Sequence, residues 1–109
     1  MKIEDYKKLG PVDDLVWLIE KAKLPRPVRE YKFCRDRNWR ADLAWPARMI
    51  LLEVEGGRWT RGRHTRAEGF LDDMMKYNRA TLMGYQVLRV TPEMIKDGLA
   101  LALVKEMFA

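Results

Sequence analysis

The sequence has a single cysteine, Cys34, and a single histidine, His64. One thiol excludes an internal disulfide, and the pair excludes a cysteine-rich zinc site. A metal bound here must be held mainly by oxygen, which favours magnesium, manganese or calcium over zinc. No apolar run approaches the roughly 20 residues that cross a bilayer. The opening Met1-Lys2-Ile3-Glu4-Asp5 lacks the apolar core of a signal peptide, so the expected location is the cytoplasm, with no membrane partner. Internal repeats and low-complexity stretches are lacking too. What is present is the mixture of a globular protein: 109 residues, 48% apolar and 34% charged. One domain over residues 1–109 is expected, because the chain supports one core and not two.

Acid is scarce in two places. Residues 21–40 carry Lys21, Lys23, Arg26, Arg29, Lys32, Arg35, Arg37 and Arg40 against Glu30 and Asp36, and residues 56–66 carry Arg58, Arg61, Arg63 and Arg66 with no acid. The net charge is +5. Arginine forks match phosphate oxygens, so a nucleic-acid backbone is a natural partner. A merely solubilising surface is the alternative.

The pattern predicts a helix over 12–23, with Asp13 and Asp14 complementing its dipole and Leu15, Leu18, Ile19 and Ala22 on one face. Pro25 and Pro27 end it. Alternation predicts strands over 28–34 and 39–45, the turn Asp36-Arg37-Asn38 between them and a tight connection at Pro46-Ala47-Arg48. The near-continuous apolar run from Met49 predicts a strand over 49–55 buried on both faces and central to the sheet. After Gly56-Gly57 and a loop, a helix is expected over 67–83, with Phe70, Met74, Tyr77 and Thr81 on one stripe and Gly84 as its cap. A strand over 85–90 and a helix from Pro92 to about Phe108 complete the chain, with Thr91 as N-cap and Gly98 weakening the helix middle. The order αβββαβα places three antiparallel strands beside a fourth that runs parallel after a helical crossover. The expected architecture is α/β, a mixed four-stranded sheet with helices on both faces.

Asp42 and the Glu53-Val54-Glu55 stretch stand out. Period-two alternation sends Glu53 and Glu55 to one face, on a strand paired with that of Asp42. Two carboxylates about 4 Å apart repel by roughly 4 kcal/mol at an effective dielectric of about 20. Either protons stay on or a cation neutralises the group, and magnesium with one to three carboxylates and water does so. Gly56 and Gly57 allow a close backbone approach, and an arginine-rich loop follows at once. A metal and phosphate site explains the three features together. Alternatively, the acids simply face solvent at a strand end.

The Asp–strand–Glu-x-Glu arrangement between helices resembles the PD-(D/E)XK nuclease superfamily. Trp39-Arg40-Ala41-Asp42-Leu43, Glu53-Val54-Glu55-Gly56-Gly57-Arg58-Trp59, Lys76-Tyr77-Asn78 and Gly84-Tyr85-Gln86-Val87-Leu88-Arg89 resemble the branch related to very-short-patch-repair endonucleases, which includes small phage-borne and bacterial proteins. The likeness spans about residues 12 to 95. It implies a restriction-endonuclease-like fold and a single nuclease domain. It also implies magnesium-dependent endodeoxyribonuclease activity, with manganese able to substitute. Asp42 and Glu53 would be metal ligands, and Glu55, a third ligand or the acceptor of the water proton, stands where the superfamily has lysine. Lys76 would be a migrated lysine, or an ordinary exposed one. Asp13, or Asp14, would complete the site, or only serve the helix dipole. Ala41 departs from the proline of the superfamily's name. Without a cysteine cluster the structural zinc of the repair enzymes, and mismatch specificity with it, does not carry over.

Arg58, Arg61, Arg63 and Arg66 are the expected phosphate contacts. His64 would shuttle a proton or, more simply, contact phosphate. Trp59 either stacks on a base or covers the core, whereas Trp39, Trp45 and Tyr77 are expected to pack within the domain. The absence of a sequence-reading module favours branched DNA such as flaps or junctions, as in phage or plasmid replication, repair and recombination. Junction resolution calls for a homodimer, for which Leu99, Leu103, Met107 and Phe108 offer a face. The commoner role for such a face is to cover the sheet. A module that keeps the nuclease fold without catalysis is the competing function.

Overall fold

The computed structural model describes residues 10–56 and 66–109, the side chains of residues 66–68 excepted. Helix α1 is Pro11–Lys21, with proline at its first turn and Asp13 accepting from the Gly10 N–H at 3.0 Å. It ends where Lys23 turns left-handed (φ 60°) and Leu24 N–H reaches back to the Ile19 carbonyl. Strand β1 is Val28–Lys32 and β2 is Arg40–Trp45. A short 3-10 turn, Pro46–Arg48, leads into β3, Ile50–Val54. Helix α2, Arg66–Leu82, crosses over to β4, Gln86–Val90. Helices α3, Pro92–Lys96, and α4, Leu99–Met107, close the chain.

The sheet order is β1-β2-β3-β4. Antiparallel pairing joins β1 to β2 and β2 to β3, and β4 runs parallel to β3. Helices cover both faces, as the order of elements predicts. On one face Leu15 and Ile19 of α1, Ile95 of α3, and Ala100 and Val104 of α4 meet Leu43, Trp45, Ile50, Leu52 and Val90. On the other, Ala80 of α2 meets Phe33, Cys34, Ala41, Ala44 and Leu51. Strand β3 feeds both clusters, which is why its sequence is apolar at successive positions. The α4 residues Leu103 and Met107, with Phe108 just beyond, pack on the first cluster, so this helix covers the sheet while Leu99 stays exposed. Among the described residues, no helix is long and apolar enough to cross a membrane.

Three local expectations change. The final helix is two helices: Gly98 sits at φ 90°, outside the helical region, and breaks the run rather than weakening it. Strand β1 does not alternate cleanly, because Glu30 is left-handed (φ 50°) and the register with β2 skips it. Phe33 and Cys34 then both turn into the α2-side cluster. Helix α2 is rotated from the Phe70, Met74, Tyr77, Thr81 stripe. Phe70 and Met74 are exposed, and Asp73, Lys76, Tyr77 and Ala80, spaced i, i+3, i+4, i+7, form its less exposed face. The cap is as read: Gly84 at φ 95° lets its own N–H bond Thr81 and the Tyr85 N–H bond Ala80.

Candidate active site

The site forms where β2 and β3 stop pairing through their backbones. Their register runs Trp45↔Ile50, Ala44↔Leu51 and Leu43↔Leu52. The next pair would be Asp42 and Glu53, and there the side chains take over. Val54 N–H donates to Asp42 Oδ2 at 2.8 Å, and Asp42 N–H donates to Glu53 Oε2 at 3.2 Å. Each carboxylate satisfies a backbone donor on the neighbouring strand, so the acids are anchored while the ladder opens between them.

Glu53 is the one buried charged side chain among the described residues, 4% exposed. Helix α2 brings Lys76 Nζ to 2.9 Å from Glu53 Oε1. Burial pushes the Glu53 carboxyl above its ordinary range, the Lys76 contact pulls it back and the neighbouring Asp42 charge raises it. Both parts of this pair are sheltered, with side-chain exposures of 13% for Lys76 and 6% for Glu53. The lysine is thus aimed at the strand acids rather than lying on the helix surface, although the superfamily resemblance would put a lysine at the position of Glu55.

Glu55 has a different setting. Arg89 on β4 grips both its oxygens, one through Nη2 at 2.8 Å and the other through Nε. Tyr77 donates its hydroxyl to the same carboxylate at 3.3 Å. The Arg89 guanidinium also lies 4.4 Å from the Tyr77 ring centre. Burial first, then the charges of Glu53 and Glu55, drive the Tyr77 hydroxyl well above its usual value, which keeps it a donor. The carboxylate of Glu55 holds the Arg89 proton more tightly than usual. Asp42 and Glu53 therefore form one pair, and Glu55 belongs to an adjoining Arg89–Tyr77 clamp. Among the described residues, no group of three or more histidine, cysteine, aspartate or glutamate side chains is arranged to hold a metal.

Asp13 is not brought to this pair. Its carboxylate takes the Gly10 N–H and an Arg29 N–H at 2.8 Å, and these bonds hold its pKa below the usual value. It belongs to α1, which packs on the opposite face of the sheet from Ala80 of α2. Asp14, next to it, is exposed. Gly56 is approached closely, but by protein: a Cβ there would lie 2.7 Å from the Pro92 ring. Arg58, Trp59, Arg61, Arg63 and His64 lie outside the described residues, and Arg66 opens α2 with its side chain outside them too. Trp45 is buried and donates to the Pro25 carbonyl at 2.7 Å. Trp39 is half-buried.

Sequence reasoning gave Arg89 no role. Its signal was its place in β4, an arginine amid apolar residues and, by the parallel register, level with Glu53. Tyr77, expected to pack within the domain, is half-buried, and its hydroxyl also meets Glu55.

Compared with protein-family models, curated proteins and solved structures, the chain matches none.

Proposed function

We propose that the chain is a magnesium-dependent endodeoxyribonuclease of the PD-(D/E)XK kind, hydrolysing phosphodiester bonds in DNA. The observation that carries this reading is the opened ladder at Asp42 and Glu53 with Lys76 on Glu53. Two strand acids and a lysine at one point are the working parts of that superfamily, with the lysine delivered by α2 rather than by β3.

The donors fit magnesium. Each carboxylate oxygen has two acceptor sites, so Asp42 and Glu53 keep capacity beyond the bonds described. Magnesium is satisfied by one or two carboxylates and otherwise water. Asp42 and Glu53 would hold it, and manganese would serve in its place. When bound, the ion would supply Lewis acidity at a phosphoryl oxygen and a more acidic water. Lys76 provides the positive charge beside the reacting phosphate and orients water against Glu53. The Arg89–Glu55–Tyr77 clamp fixes the end of β3, so that Glu53 does not drift. The substrates of choice are branched structures: flaps, nicks or four-way junctions, the last requiring a homodimer as in Holliday junction resolvases.

The competing reading is a nucleic-acid-binding module without catalysis. The observation in its favour is that Glu55 is committed to Arg89, leaving a pair of acids where three were expected. Titrating magnesium, then manganese, against a labelled four-way junction, a flap and plain duplex separates the two. Metal-dependent product is expected, and Asp42→Asn should lower it by about a hundredfold or more while DNA binding persists. Tight binding with no product in either metal would leave the module.

A further inference from the structure

Beside the acid pair, on the same side of the sheet, lies a groove of about 490 Å³. Arg35, Arg37 and Arg79 line it with Asp36, Trp39 and Met75. Three arginines face one aspartate there. Their engagements differ. Arg37 lies 4.1 Å from the Trp39 ring centre and 3.5 Å from Asp72, so it is spent on holding the indole as the groove wall. Trp39 is fixed from its other end by its Nε1–H, which points at Asp72 at 3.4 Å. Arg35 and Arg79 are exposed and carry no ion pair with the described residues. Two guanidinium forks, unspent among the described residues and lining a groove with an aromatic wall, are a receptor for phosphate oxygens.

The position of the groove says which phosphates. Arg79 follows Lys76 by one helical turn on α2, a rise of about 4.5 Å. Trp39 precedes Asp42 by three residues, about 10 Å along extended chain. That span equals about three nucleotides of a stacked strand, at about 3.4 Å each. The geometry points to a backbone cradle: Arg35 and Arg79 bind phosphates of the DNA strand about one to three nucleotides from the one held at Asp42, Glu53 and Lys76. This inference rests on the nuclease reading and adds a defined path for the strand across the α2 side of the sheet, toward the β1–β2 turn.

The test is the salt dependence of binding, measured by fluorescence anisotropy on labelled duplex DNA in EDTA, so that cleavage plays no part. The Arg35→Ala/Arg79→Ala variant is compared with wild type and with Lys96→Ala/Lys105→Ala, which removes the same charge from exposed positions on α3 and α4. Each lost phosphate contact flattens the log–log slope by about 0.9. The arginine variant should therefore lose about 1.8 units of slope and bind more weakly at low salt, while the lysine control keeps the wild-type slope. An unchanged slope in the arginine variant, or an equal loss in both variants, overturns the cradle and leaves the nuclease reading standing. A wild-type protein that binds no DNA overturns both. The altered residues are exposed, and matching thermal melts establish that all three proteins are folded.

Discussion

The two faces of the sheet are built by different rules. The face covered by α1, α3 and α4 is apolar throughout, from Leu15 and Ile19 to Leu43, Leu52 and Val104. The face under α2 is apolar only in part, where Ala80 meets Phe33, Cys34, Ala44 and Leu51, with Val87 packed against them. Further along, it carries Glu53 with Lys76 and Glu55 with Arg89 and Tyr77. Burying apolar area stabilises roughly in proportion to that area. Burying an ion pair returns little, because desolvation of both ions offsets their attraction. The first face is thus where stability resides, and the second surrenders some of it to hold buried charges in place.

The sharpest way to break this division is to injure the apolar face. Leu52 is fully buried, and its neighbours come from a sheet and helices that cannot all collapse inward. Leu52→Ala should lose about 2–5 kcal/mol of stability, read from chemical denaturation, with the Glu53–Lys76 pair still formed in the folded fraction. A loss under about 1 kcal/mol, the scale of a surface change, would mean that this cluster does not carry the fold.

A smaller effect is expected across the sheet. Lys76→Met removes the cation that offsets Glu53 burial, and leaves a carboxylate without its partner. The expected loss at neutral pH is about 1–3 kcal/mol. That deficit should shrink as pH falls, because a protonated Glu53 no longer needs a cation. Adding Glu53→Gln to the same chain should recover much of the loss. If Lys76→Met matches wild type at every pH, the ion pair contributes nothing to holding the acid in place.

The same contrast governs what the sequence reveals. Strands β1 to β4, their directions and the central place of β3 were legible, because apolar spacing reports burial directly. The rotation of α2 was not. Phe70 and Met74 suggest a core face, yet they are 64% and 42% exposed. The face turned to the sheet is fixed instead by Lys76 and Tyr77 meeting Glu53 and Glu55, and no hydrophobic pattern encodes a pairing between distant charges. For the same reason Asp42 and Glu53 were legible as neighbours, through consecutive strands, whereas the capture of Glu55 by Arg89 was not. That capture depends on β4 lying beside β3, a contact made across a helical crossover. The break at Gly98 was visible as a residue type, but whether it bends or ends a helix depends on the φ of 90° it adopts.

The smallest expected effect separates the faces by the sign of a titration. The pKa of Asp13, beside α1, is depressed chiefly by the Gly10 N–H and then by Arg29. Its contribution to stability is therefore present above the ordinary value of 3.8 and is lost as pH falls through the depressed one. Glu53 is shifted the other way, chiefly by burial, so its contribution is full below 4.5 and is lost as pH rises through its raised value. Denaturation of metal-free protein from about pH 3 to 7 reads both slopes. Relative to wild type, Asp13→Asn should lose ground as pH rises, by under about 1 kcal/mol because the ion pair with Arg29 is solvent-screened. Glu53→Gln should gain ground over the upper part of the same range. Variants that shift in the same direction would show that Glu53 is held as a charge in the native state. The polar face would then be stabilised by its ion pair, and would not be yielding stability to it.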